Sequence, residues 1–105
     1  MTYMIFISTV PNLEEGKKIA RLLVEQKIIA CCNIIPNVIS IYEWEEKIEE
    51  DNELLLVIKT KKENSKKLIE IINSIHSYEV SECIGFDITE GSKKYLDWMD
   101  KIIKI

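Results

Sequence analysis

Residues 30–48 read ACCNIIPNVISIYEWEEKI, and the reading of this stretch decides the fold. Two adjacent cysteines open a long apolar run, a proline interrupts it, and Tyr42 and Trp44 close it. The β-branched and aromatic content predicts a strand over 29–44. Pro36 has no N–H to give to a ladder, so it marks an edge or a bulge. Glu45 and Glu46 form a turn, and a second long strand follows over 47–61 through Leu54, Leu55, Leu56, Val57 and Ile58. The two strands make one extended hairpin.

The flanks place that hairpin in a larger pattern. A strand is predicted over 2–10 and ends at Pro11. Asn12 begins a helix, with Glu15 in the capping-box position. Ile19, Leu22, Leu23 and Ile28 keep a helical apolar spacing, and Gly16 weakens that helix by about 1 kcal/mol relative to alanine. Thr60 and Glu63 form a second capping box before a helix that carries Leu68, Ile69, Ile71, Ile72 and Ile75 and closes at His76. A fourth strand is predicted over 79–88, and Gly91-Ser92 opens a short last helix with Tyr95, Leu96, Trp98, Met99, Ile102 and Ile103. The order is the split βαβ of an α+β, ferredoxin-like βαββαβ sandwich with a long central hairpin and an extra C-terminal helix. The 105 residues form one domain, 1–105.

An antiparallel sheet covered by helices on one side should be apolar on that face only. Here the second strand carries Cys32, Ile34, Val38, Tyr42 and Trp44 on one face and Cys31, Ile35, Ile39 and Ile41 on the other. A bulge at Pro36 would exchange which halves belong together, and both faces stay apolar either way. A 14-residue strand is roughly 48 Å long, more than this chain can cover alone. The uncovered face predicts an obligate oligomer packed through the hairpin and the open sheet face.

Composition excludes several classes. The net charge of −4 and the interleaving of lysine with glutamate leave no basic face for nucleic acid. No apolar run is long enough for a membrane helix, and the N-terminal MTYMIFISTV lacks the basic region of an export signal. Three cysteines without an export signal predict reduced thiols and a cytoplasmic protein. No nucleophile motif, phosphate-binding glycine loop or dinucleotide fingerprint is present, so no enzyme is predicted.

The remaining candidates are few. Cys31 and Cys32 have no C-x-x-C spacing and point to opposite faces of a strand, so both, with Cys83, read as buried packing residues. His76 is the only histidine; it is either a residue at a helix C-terminus or a ligand and acid–base group, with Tyr78, Glu79 and Lys59 as neighbours. Trp44 is an interface anchor or a ligand-stacking residue. Lys59, Lys61 and Lys62 form a solvated helix start where a small anion could also bind.

The 30–48 stretch, together with ELLLVIKT, IHSYEV and EGSKKYLDW, resembles the CutA family of divalent-cation tolerance proteins over nearly the whole chain. The early STVPNLEEGKKIARLLVEQKIIACCNI fits as well. The resemblance implies a ferredoxin-like homotrimer, similar to the PII signal-transduction proteins, held together by its long hairpins, with a role in tolerance of divalent metals or copper. Ala30, Cys31, Asn33, Pro36, Ser40, Tyr42, Trp44, Glu53, Lys59, His76, Tyr78 and Glu79 match the family motif. Glu46 stands where relatives commonly have glycine, and Ser77 and Ser81 where they have proline. Enterobacterial members with assigned copper ligands have cysteine at Ser8 and a second histidine at Ile75. His76 is the single metal-ligand candidate left. By analogy with the PII proteins, the alternative is a small-ligand or signalling module whose inter-subunit clefts use Lys59, His76, Tyr78 and Glu79.

Overall fold

The hairpin dominates the shape. In a computed structural model that describes residues 2–105, β1 is Tyr3–Val10, α1 Leu13–Glu25, β2 Cys31–Trp44, β3 Lys47–Lys61, α2 Ser65–Ile75, β4 Ile84–Ile88 and α3 Lys93–Ile102. The strands form one sheet in the order β2-β3-β1-β4, and every neighbouring pair is antiparallel. With the element order, this is the split βαβ arrangement expected. The molecule measures 45 × 25 × 22 Å, and its radius of gyration of 14.3 Å exceeds the about 13 Å usual for this length because the hairpin projects beyond the helices.

Alternation along β1 sets the two faces. Phe6, Ser8 and Val10 point into the core under α1 and α2, where they meet Ile19, Leu23, Leu56, Ile58, Leu68 and Ile72. Ile5, Ile7 and Thr9 point to the open face. Gly16 lets α1 press onto β1: a Cβ there would sit 3.2 Å from the Val10 side chain. Gly85 is needed more strictly, because the Phe6 ring lies across it and a Cβ would come within 2.6 Å of that ring.

The bulge in β2 falls at Pro36. Ile35 pairs with Leu55 and Val38 with Glu53, so one extra residue enters β2, and Asn37 takes a left-handed φ of 62° to admit it. This exchanges the faces. Cys32 and Ile34 sit toward the helices, but beyond the bulge Val38, Ser40, Tyr42 and Trp44 join the open face with Ile35. The hairpin closes through Glu45 and Glu46, both at positive φ (50° and 66°), the twist a two-residue turn demands.

Three expectations need correction. The fourth strand is shorter than 79–88: residues 79–83 form a loop, and only Ile84–Ile88 pairs with β1. Thr60 caps no helix, since its hydroxyl donates to the Ile28 carbonyl at 2.7 Å; a 3₁₀ turn, Lys62–Asn64, leads into α2 instead. The cysteines are half-buried rather than fully buried. Cys32 and Cys83 still pack against the core, and desolvation pushes their thiols up to about 12 and about 11. The Asn12 cap forms, accepting the Glu15 N–H at 2.8 Å, but the Glu15 carboxylate turns away to the Ser77 N–H at 3.1 Å.

α3 lies on the face opposite α1 and α2. Met99 and Ile103 pack on Ala30 and Tyr3. Asp100 accepts from the Tyr3 hydroxyl (2.9 and 3.0 Å) and from the buried Lys61 ammonium (2.7 Å). The helix covers one end of the open face and leaves the other end bare.

Candidate functional site

That bare end is concave. A cavity of about 660 Å³ lies on the open face between the sheet, the projecting hairpin and the 76–83 loop. Ile7 and Thr9 of β1 and Glu53 and Leu55 of β3 form its floor. Ser40, Tyr42 and Trp44 of β2 form one wall, in place there because of the bulge at Pro36. Tyr78, Glu79, Val80 and Glu82 of the loop form the other.

Two phenol–carboxylate pairs stiffen the site. The Tyr78 hydroxyl donates to Glu53 Oε2 at 2.5 Å, and Glu53 is only 5% exposed. The Tyr42 hydroxyl donates to Asp51, its neighbour on β3. Both phenols are held in the protonated form: burial and then the Glu53 hydrogen bond push Tyr78 up, and the hydrogen bond to Asp51 pushes Tyr42 up to about 12. At neutral pH these tyrosines act as donors.

His76 holds the loop from behind. It follows α2, whose last turn gives its backbone N–H a partner in the Ile72 carbonyl. Its Nε2 lies 2.7 Å from the Thr9 carbonyl, which can only accept, so Nε2 carries the proton. Its Nδ1 then accepts from the Tyr78 N–H at 3.1 Å. A carboxylate oxygen of Glu15 stands 3.4 Å from Nδ1, and the Tyr78 ring leans over the imidazole at 4.7 Å between centroids. The imidazole is buried, with both nitrogens committed to backbone groups.

The residues expected to work together are therefore divided. Trp44, Tyr78 and Glu79 line the cavity; His76 sits beneath the loop that carries two of them. Lys59 is elsewhere on the open face, its ammonium 5.6 Å from the centre of the Tyr95 ring, beside Trp98. Among the described residues, no group of three or more histidine, cysteine or carboxylate side chains is placed to hold a metal ion. Tyr42 and Glu53 match the family motif but were not singled out as site residues, and Glu82 carries no recognisable motif. The signal for Glu53 is its place opposite Val38, visible only once the bulge fixes the register.

A two-layer α+β protein with an acidic, aromatic cavity on its uncovered face is the class that fold and site define. The profile of the CutA1 divalent ion tolerance protein family matches residues 4–102, and the chain belongs to that family. It is 50% identical over 91 residues to the chloroplastic protein CutA of Arabidopsis thaliana, covering 87% of this chain and 50% of that protein. It is 42% identical over 95 residues to the divalent-cation tolerance protein CutA of Thermus thermophilus, covering 90% and 92%. The solved structure of CutA1 from Oryza sativa superimposes with a TM-score of 0.96 at 38% identity, over 99% of this chain and 95% of that one. The chain spans between 50% and 63% of the length of several plant and vertebrate relatives it matches. No helix among the described residues is long and apolar enough to cross a membrane.

Proposed function

We propose that the chain, as one CutA-like domain over 1–105, acts as a homotrimer in cellular tolerance of divalent metal ions, in the cytoplasm and without catalysing a reaction. The observation that carries the assembly is the open sheet face: Ile84, Phe86, Ile35 and Trp44 are 57%, 54%, 45% and 40% exposed on the single chain, beside half-buried Ile5, Ile7, Leu55 and Val57. Such a surface is stable in water only when another copy covers it. The number three comes from the family resemblance. Relatives are named divalent-cation tolerance proteins, which supports the same role here. The only histidine is spent on backbone hydrogen bonds, so the cavity has no imidazole to serve as a general base. Three free cysteines fit a reducing compartment.

Direct copper binding through His76 is weak in this reading, because a metal must displace the Thr9 carbonyl or the Tyr78 N–H. The test is growth of cells lacking the gene, with and without its restoration, in toxic copper, zinc or cobalt salts. Restored growth supports the reading, and equal growth overturns it.

The cavity supports a second reading, a PII-like small-ligand module. Trp44, Tyr78 and Glu79 belong to that site; Lys59 and its aromatic neighbours lie outside it.

A further inference from the structure

We infer that the two ends of the open face fit each other on different copies: the Lys59 ammonium of one chain enters the concave, acidic end of the next and pairs there with the Glu53 carboxylate. The inference rests on the reading of the open face as the surface where copies meet, and it names the residue that a neighbour contributes to the cavity. Three features carry it. The first is unmatched charge. Glu53 is 5% exposed, and its partner among the described residues is the Tyr78 hydroxyl. Glu79 and Glu82 stand beside it, and no lysine, arginine or histidine lines the cavity. Lys59, at the other end of the same face, has the Tyr95 ring for a neighbour and forms no ion pair with a described residue.

The second is distance. Lys59 and Glu53 lie six residues apart on β3, so alternation puts both on the open face, and at about 3.4 Å per residue they are roughly 20 Å apart. That is beyond the reach of a lysine side chain, so one chain cannot pair them. Once a second copy covers the apolar face, both groups leave water. A buried charge without a counter-charge is costly, and pairing between copies relieves both groups at once.

The third is symmetry. In a ring of identical subunits, one patch of each chain meets a different patch of the next, so socket and plug must lie on the same chain at separate places. The open face meets that requirement. Its hairpin end is a hollow walled by Trp44, Tyr42 and Tyr78, whose rings suit an arriving cation. Its α3 end carries Lys59 against Tyr95, with Trp98 alongside, and both rings are part-exposed on the single chain. Of the other lysines on β3, Lys61 is bonded to Asp100 and Lys47 stands at the hairpin turn, away from the α3 end.

The experiment measures the mass of the full chain by multi-angle light scattering across a guanidinium series at fixed protein concentration, for the parent, Lys59→Met, Glu53→Gln and the double variant. Each single substitution should lower the assembly constant by at least about tenfold. The double variant should assemble no worse than the weaker single one, because removing both partners leaves neither group unpaired. Lys59→Glu should dissociate the assembly further, and adding Glu79→Lys, on the exposed loop, should restore part of it. This reversed pair serves if the buried Glu53 variant misfolds. Lys59→Met that assembles like the parent overturns the inference. So do losses that simply multiply in the double variant, or a reversed pair no better assembled than Lys59→Glu. The two readings fail separately: a parent that runs as a single chain overturns the assembly and this contact together, whereas a parent that assembles while the Lys59 variants match it overturns the contact alone.

Discussion

The Nε2–H of His76 donates to the carbonyl of Thr9 across 2.7 Å, tying the residue after α2 to β1 just past the end of its pairing with β4. Nδ1 is taken by the Tyr78 N–H, so the imidazole serves as a bracket between two backbone segments. For copper ligation this is decisive: a metal bound at either nitrogen leaves a backbone group without its partner, at a cost of about 1–3 kcal/mol. The protein should bind neither Cu(I) nor Cu(II) more tightly than about 10⁻⁸ M, near −11 kcal/mol, in chelator competition. His76→Ala should instead lower stability by about 2 kcal/mol, through the same two unpaired groups. Tighter stoichiometric copper binding that the substitution removes would refute the bracket.

The hairpin turn carries avoidable strain. Glu46 occupies a left-handed conformation (φ 66°), which costs a non-glycine residue about 1–2 kcal/mol. Glu46→Gly should raise stability by about 1 kcal/mol in denaturant unfolding at fixed protein concentration. A loss of stability would mean that the Glu46 side chain makes a compensating contact.

Ser8 lies in the core with its hydroxyl oxygen unpaired among the described residues. Burying a hydroxyl without a partner costs about 1–3 kcal/mol, so Ser8→Ala should raise stability by about 1 kcal/mol. The same unfolding curves check this, and a destabilised variant would show that the hydroxyl is satisfied in solution.

The Lys61–Asp100–Tyr3 contact predicts an acid-sensitive C-terminal helix. The hydrogen bond from Lys61 holds the Asp100 carboxyl below its ordinary value of 3.8, with Tyr3 adding to the effect. A carboxylate lowered by folding contributes stability that is complete above its unfolded value and lost as pH falls through its folded one. α3 should therefore loosen below about pH 4. Near-ultraviolet circular dichroism of Trp98 reports this, and Asp100→Asn should give the loosened spectrum at neutral pH. A Trp98 signal that stays unchanged through that range in the parent would contradict the latch.

Much of the architecture was legible because it rests on local signals. Alternating apolar residues, Pro11, the Asn12 cap and the Glu45-Glu46 turn give every strand and helix within a few residues. The misread parts depend on distant partners. Thr60 looks like a cap until the Ile28 carbonyl is seen beside it. Residues 79–83 have strand-like composition but leave the sheet to line the cavity, held behind by His76 on Thr9. For the site, Tyr78 and Glu79 were legible as neighbours of the only histidine, and Trp44 as an interface anchor or ligand-stacking residue at the end of β2. Glu53 was placed only by its match to the family motif, and its burial was not legible because that depends on the register that the Pro36 bulge sets. Lys59 was grouped with them as a possible neighbour of His76 and by the PII analogy, whereas its side chain lies elsewhere on the open face, near Tyr95.

The most direct test of the account is the mass of the native protein at micromolar concentration, by multi-angle light scattering, alone and as Phe86→Glu. Phe86 is 54% exposed on the open face and outside the cavity lining. The parent should give about three times the 12.3 kDa chain mass, and the variant, with a charge placed on the same apolar surface, should dissociate toward single chains. A parent that runs at 12.3 kDa, or a variant that stays assembled, would contradict the claim that the open sheet face is where the subunits meet.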